Sequence, residues 1–130
     1  MTGLLDLASE KYVRLTTFRR DGTPVATPVW LVGGDGELLV ITGSTTGKVK
    51  RLRHTARVLL AACDARGRAK PGAVEHEGVA ELVEDPAEAE RIGRAVTRRY
   101  GVLGRVLAVA ERLRGGRRPV GIRIRPSAGD

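Results

Sequence analysis

Aromatic side chains are nearly missing from this 130-residue chain, which holds one Trp, one Phe and two Tyr. Proteins that bind single-stranded nucleic acid stack successive bases on aromatic rings, and so few rings leave little to build such a platform. Cysteine is scarcer still. Cys63 stands alone, which excludes an intramolecular disulfide and a cysteine-built zinc site and fits a reducing compartment. No run approaches the ~20 apolar residues that span a bilayer. Met1 to Glu10 lacks a basic stretch followed by an apolar core, so it does not read as a signal peptide. A soluble, cytoplasmic protein is expected.

What is present is a core and a charge. Hydrophobic residues make up 42% of the chain, too many for disorder, and the length suits a single domain, residues 1–130, without metal or disulfide staples. The formal net charge is +8. That balance favours anionic partners such as nucleic acid, phosphate-bearing cofactors or acidic membranes, although scattered arginine also simply solvates a surface. No helix-turn-helix or stacking signature accompanies the charge, so nucleic acid is disfavoured.

The first two thirds of the chain read as strands. Lys11 to Arg19 alternates, with Val13, Leu15 and Thr17 on one face. Asp21-Gly22-Thr23-Pro24 is a turn, and Val25 to Val32 is a second strand. Pro28 places that strand at an edge or a bulge, because proline cannot donate to a ladder. Gly33-Gly34-Asp35-Gly36 turns again. Glu37–Thr42, Arg57–Cys63 and Ala73–Val83 follow as strands. Asp85-Pro86-Ala87-Glu88 then carries a helix start, with a capping Asp and Pro at the first helical position. Ile92, Val96, Tyr100 and Leu103 recur at helical spacing. Gly101 and Gly104 are expected to kink or split the helix, a second stretch runs from about Arg105 to Arg114, and Gly115-Gly116 ends it. Val120, Ile122 and Ile124 alternate in a last strand, and Ser127–Asp130 reads as a loose tail. Six strands joined by short turns argue for a mainly β, antiparallel barrel or sandwich. The turns are too short for the crossovers of a parallel sheet.

One loop concentrates chemistry. After the strand ending at Ile41-Thr42, Gly43-Ser44-Thr45-Thr46-Gly47 leads into a short helix from about Lys48 to His54. Amides at a helix start attract anions, and Ser44, Thr45 and Thr46 add hydroxyls. Lys48, Lys50 and Arg51 set three positive charges in the first turn, where cations oppose the helix dipole. A sequence that concentrates them there expects an anion, the plainer alternative being a solvated basic helix. The loop is not a nucleotide P-loop. Three residues rather than four separate Gly43 from Gly47, and Val49 stands where Ser or Thr should hold magnesium.

The ordered set Tyr12-Val13-Arg14-Leu15-Thr16-Thr17-Phe18-Arg19, Asp21-Gly22-Thr23-Pro24, Thr27-Pro28-Val29-Trp30 and Gly47-Lys48-Val49-Lys50-Arg51-Leu52-Arg53 resembles the flavin/deazaflavin oxidoreductases of the pyridoxamine-phosphate-oxidase-like group. Within it, the chain is most similar to the coenzyme F420-dependent branch. The resemblance spans about Lys11 to Val83, with a weaker match in the last strand. It implies a six-stranded antiparallel split β-barrel with a short phosphate-site helix and a late helical excursion. It also implies a homodimer with cofactor sites at the interface, and hydride transfer between reduced F420, an 8-hydroxy-5-deazaflavin, and a small unsaturated or quinone-like substrate. FMN or FAD in the same place, or a protein that binds or stores a cofactor without turnover, are the alternatives. By position, Thr45, Thr46, Gly47, Lys48, Lys50 and Arg51 correspond to the phosphate clamp. Thr42, Gly43, Thr27, Pro28 and Val29 correspond to segments along the ring system. Trp30 is left between two readings, beside the ring or packed in the barrel. No catalytic side chain is identified, which suits an enzyme whose cofactor performs the redox step.

Other reactive residues have plainer readings. Cys63 ends an apolar strand and reads as a small core residue. His54 and His76 stand singly, and no metal site is expected. Glu75, Glu77 and Glu81 share a strand face by parity and are expected to balance Arg or Lys across strands or to face a dimer partner. Tyr100 is expected in the core, with the border of a substrate pocket as a second reading. Arg112, Arg114, Arg117 and Arg118 form a solvated cluster or reach an acidic cofactor tail.

Overall fold

The structure, a computed structural model, describes residues 3–113 and 118–127; for residues 107–113 only the helical backbone is described. A 3₁₀ turn (Leu4–Ser9) leads into β1 (Val13–Phe18), β2 (Pro24–Val29), β3 (Val32–Gly34) and β4 (Glu37–Gly43). Helix α1 (Gly47–Leu52), β5 (Arg57–Ala62), β6 (His76–Val83), α2 (Pro86–Leu113) and β7 (Pro119–Pro126) follow. The expected glycine terminator Gly115-Gly116, the side chains of Arg112, Arg114 and Arg117, and residues 128–130 of the tail lie outside the described residues.

All strand pairs are antiparallel, in one sheet of order β2-β1-β5-β6-β7-β4-β3. The count is seven strands rather than the six expected, because the run Val25–Val32 breaks at Trp30-Leu31. Its halves then pair at opposite edges of the sheet, which forces the architecture. Laid flat, seven strands spaced ~4.8 Å apart would separate their edges by nearly 30 Å. Three residue steps from Val29 to Val32 reach only ~11 Å. The sheet must therefore curl until its edges meet, forming a barrel split between β2 and β3. Pro28 lies on edge strand β2, as expected, opposite Arg14 of β1.

The barrel interior follows strand parity. Val13, Leu15, Leu38, Val40, Val58, Leu60, Ile122 and Ile124 are all buried within it. The 3₁₀ turn, not foreseen in the sequence, adds Leu4 and Leu7 to this core. Leu4 is seated over Gly78, where a Cβ would lie 2.8 Å from Leu4 Cδ1. A second apolar cluster lies under α2, where Val83, Ile92 and Val96 meet Trp30, Val32, Leu39, Ile41 and Tyr100. Asp85 caps α2 by accepting the Glu88 amide at 3.0 Å. The expected break falls at Gly101, whose φ of 64° and ψ of −134° suit glycine alone. Past it the backbone doubles close to itself, since a Cβ on Gly104 would lie 2.7 Å from the Thr97 carbonyl oxygen.

The strand expected over Ala73–Val83 starts only at His76, so Glu75 lies before it and pairs with Arg14 from outside the strand, while Glu77 and Glu81 on β6 pair across strands with Arg57 and Arg123 as read. Cys63 is buried, and burial, then the nearby Asp64, pushes its thiol pKa up, so it is an inert core residue. Among the described residues no helix is long and apolar enough to cross a membrane, and no group of His, Cys, Asp and Glu could hold a metal ion.

Candidate functional site

Helix α1 is short, six residues, and is held by Val49 and Leu52, both buried. It packs on β1 and β6. Helical spacing then decides where its cations go. Lys48 and Arg51, three residues apart, share a face and are half-buried, whereas Lys50 is exposed. The three charges of the expected clamp thus divide into an inward pair and an outward single. Arg51 is fixed by a residue 34 positions earlier: its Nε donates to Thr17 Oγ1 of β1 at 2.6 Å. The guanidinium also folds back over the helix start, since a Cβ on Gly47 would lie 2.6 Å from Arg51 Nη1. Thr42 and Thr46, from the strand and the loop, hydrogen-bond through their hydroxyls at 3.1 Å. The Ser44 amide is spent on the Arg118 carbonyl, at 2.9 Å, and the Thr46 amide on that of Gly43, at 3.1 Å.

The electrostatics around Lys48 and Arg51 are one-sided, whereas Arg19 also feels the carboxylate of Asp21. Burial, and then the charge of Arg51, lowers the Lys48 ammonium from its ordinary pKa of 10.5. Burial, and then Arg19, lowers that of Arg51. Arg19 was missed in the sequence; it follows Thr17 by two residues, just past the end of β1, so extending the strand's parity by one step could have placed it on the same side. Arg20 from the same turn donates to His54 Nε2 at 3.2 Å. Among the described residues, none of Arg19, Arg20, Lys48, Lys50 and Arg51 forms an ion pair. Sequence neighbours are paired: Arg53 with Glu84 at 2.6 Å and Arg57 with Glu77 at 3.5 Å.

The residues expected along a ring system are spread over more than one surface. Thr27 lies opposite Leu15 on β2 and faces inward, and its Oγ1 is buried without a hydrogen-bond partner. Val29 shares that face and is buried in the core. Pro28 points to the other side, where Gly67 packs on it. Thr42 shares the interior face of β4 with Leu38 and Val40 by parity, and Gly43 ends the strand.

Trp30 lies at the opposite end of β2 from the Thr17–Arg51 contact. It stacks on Tyr100, ring centroids 4.2 Å apart and planes 6° from parallel. Tyr100 donates its hydroxyl to the Lys11 carbonyl at 2.8 Å and accepts the Leu31 amide at 3.2 Å. Arg99 donates to the carbonyls of Leu31 and Glu10. These two residues satisfy the backbone where β2 breaks into β3. They also border a cleft of about 290 Å³ lined by Ser9, Lys11, Arg99, Tyr100 and Leu103.

Comparison with known proteins agrees with this architecture. Residues 5–127 match the sequence model of the family described as pyridoxamine 5'-phosphate oxidase. The chain is similar in structure to the conserved hypothetical protein Rv2991 of Mycobacterium tuberculosis, with 28% identity and a TM-score of 0.71 over 98% of this chain and 82% of that one. It is also similar to an F420 reductase, at 21% identity and a TM-score of 0.61 over 98% and 96% of the two chains. HutZ, the heme storage protein of Vibrio cholerae, shares the fold at 17% identity and a TM-score of 0.68 over 93% and 84%. No curated protein matches the chain in sequence. With the family match spanning nearly its whole length, this split barrel belongs to the pyridoxamine 5'-phosphate oxidase family.

Proposed function

We propose that this chain binds a phosphate-bearing flavin-type cofactor at α1, foremost the deazaflavin F420, and acts as an oxidoreductase on a small unsaturated or quinone-like substrate. The observation that carries the reading is the cation cluster without carboxylates around Lys48 and Arg51. Two half-buried like charges side by side raise the free energy of the folded protein unless an anion joins them. The residues present fit such a group. Lys48 and Arg51 would hold its phosphate, Lys50, Arg19 and the hydroxyls of Thr45 and Thr46 would border it, and the unpartnered Thr27 Oγ1 offers a polar contact on the inner face of β2. When bound, the deazaflavin supplies the hydride chemistry; the chain's own part is to hold the anion and shield the site from water.

Exposed apolar side chains, Val79 on β6 and Val74 in the segment just before it, support a homodimer, and light scattering should return twice the chain mass. Titration with F420, FMN and FAD in parallel, followed by fluorescence anisotropy, tests the cofactor. Selective binding of F420 is expected. Preference for FMN or FAD would reassign the chemistry within the same clamp, and no binding of any would overturn the reading. The fold shared with a heme storage protein favours one second reading, binding without turnover. A tightly bound cofactor that neither reductant nor acceptor converts would establish it.

A further inference from the structure

We propose that Thr17 and Gly47 are positioning residues that hold the Arg51 guanidinium in its anion-receiving posture before any ligand arrives. This rests on the reading of α1 as a phosphate clamp. Thr17 is fully buried on β1, inside a strand whose inward neighbours Val13 and Leu15 are apolar. A hydroxyl in that row asks for a partner, and Arg51 Nε supplies it at 2.6 Å. The bond takes Nε out of play and leaves Nη1 and Nη2 as the donor edge, the part of a guanidinium that receives phosphate oxygens in pairs. Gly47 acts sterically. Nη1 occupies the volume that a Cβ there would need, 2.6 Å from it, so a side chain at residue 47 would push the guanidinium tip out of this posture. Gly47 shows no positive φ, so its absent side chain, not a left-handed backbone, is what the site uses. One contact pulls the guanidinium against β1 and the other makes room for it. An arginine free to swing would have to be immobilised on binding, and pre-organisation removes that entropic cost.

The test has a ligand-free arm and a binding arm. In the ligand-free protein, the Arg51 Nε–Hε signal in a nitrogen–proton correlation spectrum, assigned by its loss in Arg51→Lys, should be sharp and slow to exchange with solvent. Thr17→Val, nearly isosteric, should lose that protection, and Thr17→Ser should restore it. In the binding arm, titration with F420 and with inorganic pyrophosphate should show Thr17→Val and Gly47→Ala each weakened about tenfold, the size of one lost charged hydrogen bond, with Thr17→Ser within about twofold of the parent. A protected Hε that survives Thr17→Val overturns the positioning role whatever binds. If Arg51→Ala weakens binding while Thr17→Val and Gly47→Ala do not, the clamp stands and the positioning role falls. If neither probe binds but the Hε pattern holds, the positioning stands and the phosphate-clamp reading fails.

Discussion

Arg123 and Arg51 are both arginines partly withdrawn from solvent beside a sheet, and they are treated oppositely. Arg123 on β7 meets Glu37 at 3.2 Å, Glu81 at 3.0 Å and Glu88 at 3.6 Å, so one guanidinium ties β4, β6 and α2 to its own strand. The first cause of its raised pKa is the bond to Glu81. Arg51 has a hydroxyl below it, Lys48 beside it and Arg19 nearby, and its pKa is lowered. The chain has carboxylates to spare for Arg14, Arg53 and Arg57, so their absence around Arg51 is a property of the place rather than of the composition. A cation completed by its own chain serves the fold. A cluster left incomplete is, on the proposed reading, a place for an anion from outside.

The largest expected effect breaks the incomplete side. Lys48→Ala with Arg51→Ala removes both inward cations, at roughly 1.5–3 kcal/mol of binding for each charge-assisted hydrogen bond lost. FMN or F420 affinity should fall at least ~100-fold by anisotropy titration, while in urea unfolding of the ligand-free protein the relief of like-charge repulsion is set against the loss of the Thr17 hydroxyl's partner. Unchanged affinity would show that the cluster is only a solvated basic surface.

The completed side should respond in the reverse sense. Arg123→Met leaves Glu37, Glu81 and Glu88 facing one another without their shared cation. A loss of roughly 1–3 kcal/mol in urea unfolding is expected, with cofactor affinity within about twofold of the parent. A binding loss equal to that of the Lys48 and Arg51 variants would dissolve the distinction between the two regions.

The sequence made part of this contrast legible. Alternation placed Val13, Leu15 and Thr17 inside, and parity foresaw that Glu77 and Glu81 would find cationic partners, because both patterns have period two and need only local spacing. The loop and its cations were visible for the same reason. The break at Trp30-Leu31 was not. No turn residue marks it, and the groups that make it tolerable, Arg99 and the Tyr100 hydroxyl, come from nearly 70 residues downstream. The Thr17–Arg51 bond spans 34 positions and leaves no periodic trace. Leu4 and Leu7, three apart in a 3₁₀ turn, were readable but short enough to pass as irregular chain. Local periods reveal faces; the partners that complete a face are set by the closure of the barrel.

The smallest effect sharpens the comparison through pH. Burial, helped by Arg51, depresses the folded-state pKa of Lys48 below 10.5. Between that lowered value and 10.5 the unfolded chain binds more protons than the folded one, so this group makes the ligand-free protein more stable as pH rises through the window. Below the window its unfavourable contribution is fully present and constant. Lys70 is opposite in sign: Glu10 raises its pKa, and the stability it lends is lost only above 10.5. Tyr100, raised first by burial, loses stability upward from its ordinary value of 10.0 and overlaps the upper part of the Lys48 window. The Lys48 contribution is therefore read as the difference between the parent and Lys48→Gln in urea unfolding at stepped alkaline pH, and that difference should shrink the destabilisation of the parent as pH climbs. A bound anion reverses the balance by favouring the charged ammonium. Affinity for sulfate, whose own charge is constant over this range, should decline across the same window in the parent and stay flat in Lys48→Arg, which keeps its charge. Parallel curves for the two proteins would remove Lys48 from the anion's contacts and leave Arg51 to hold it alone.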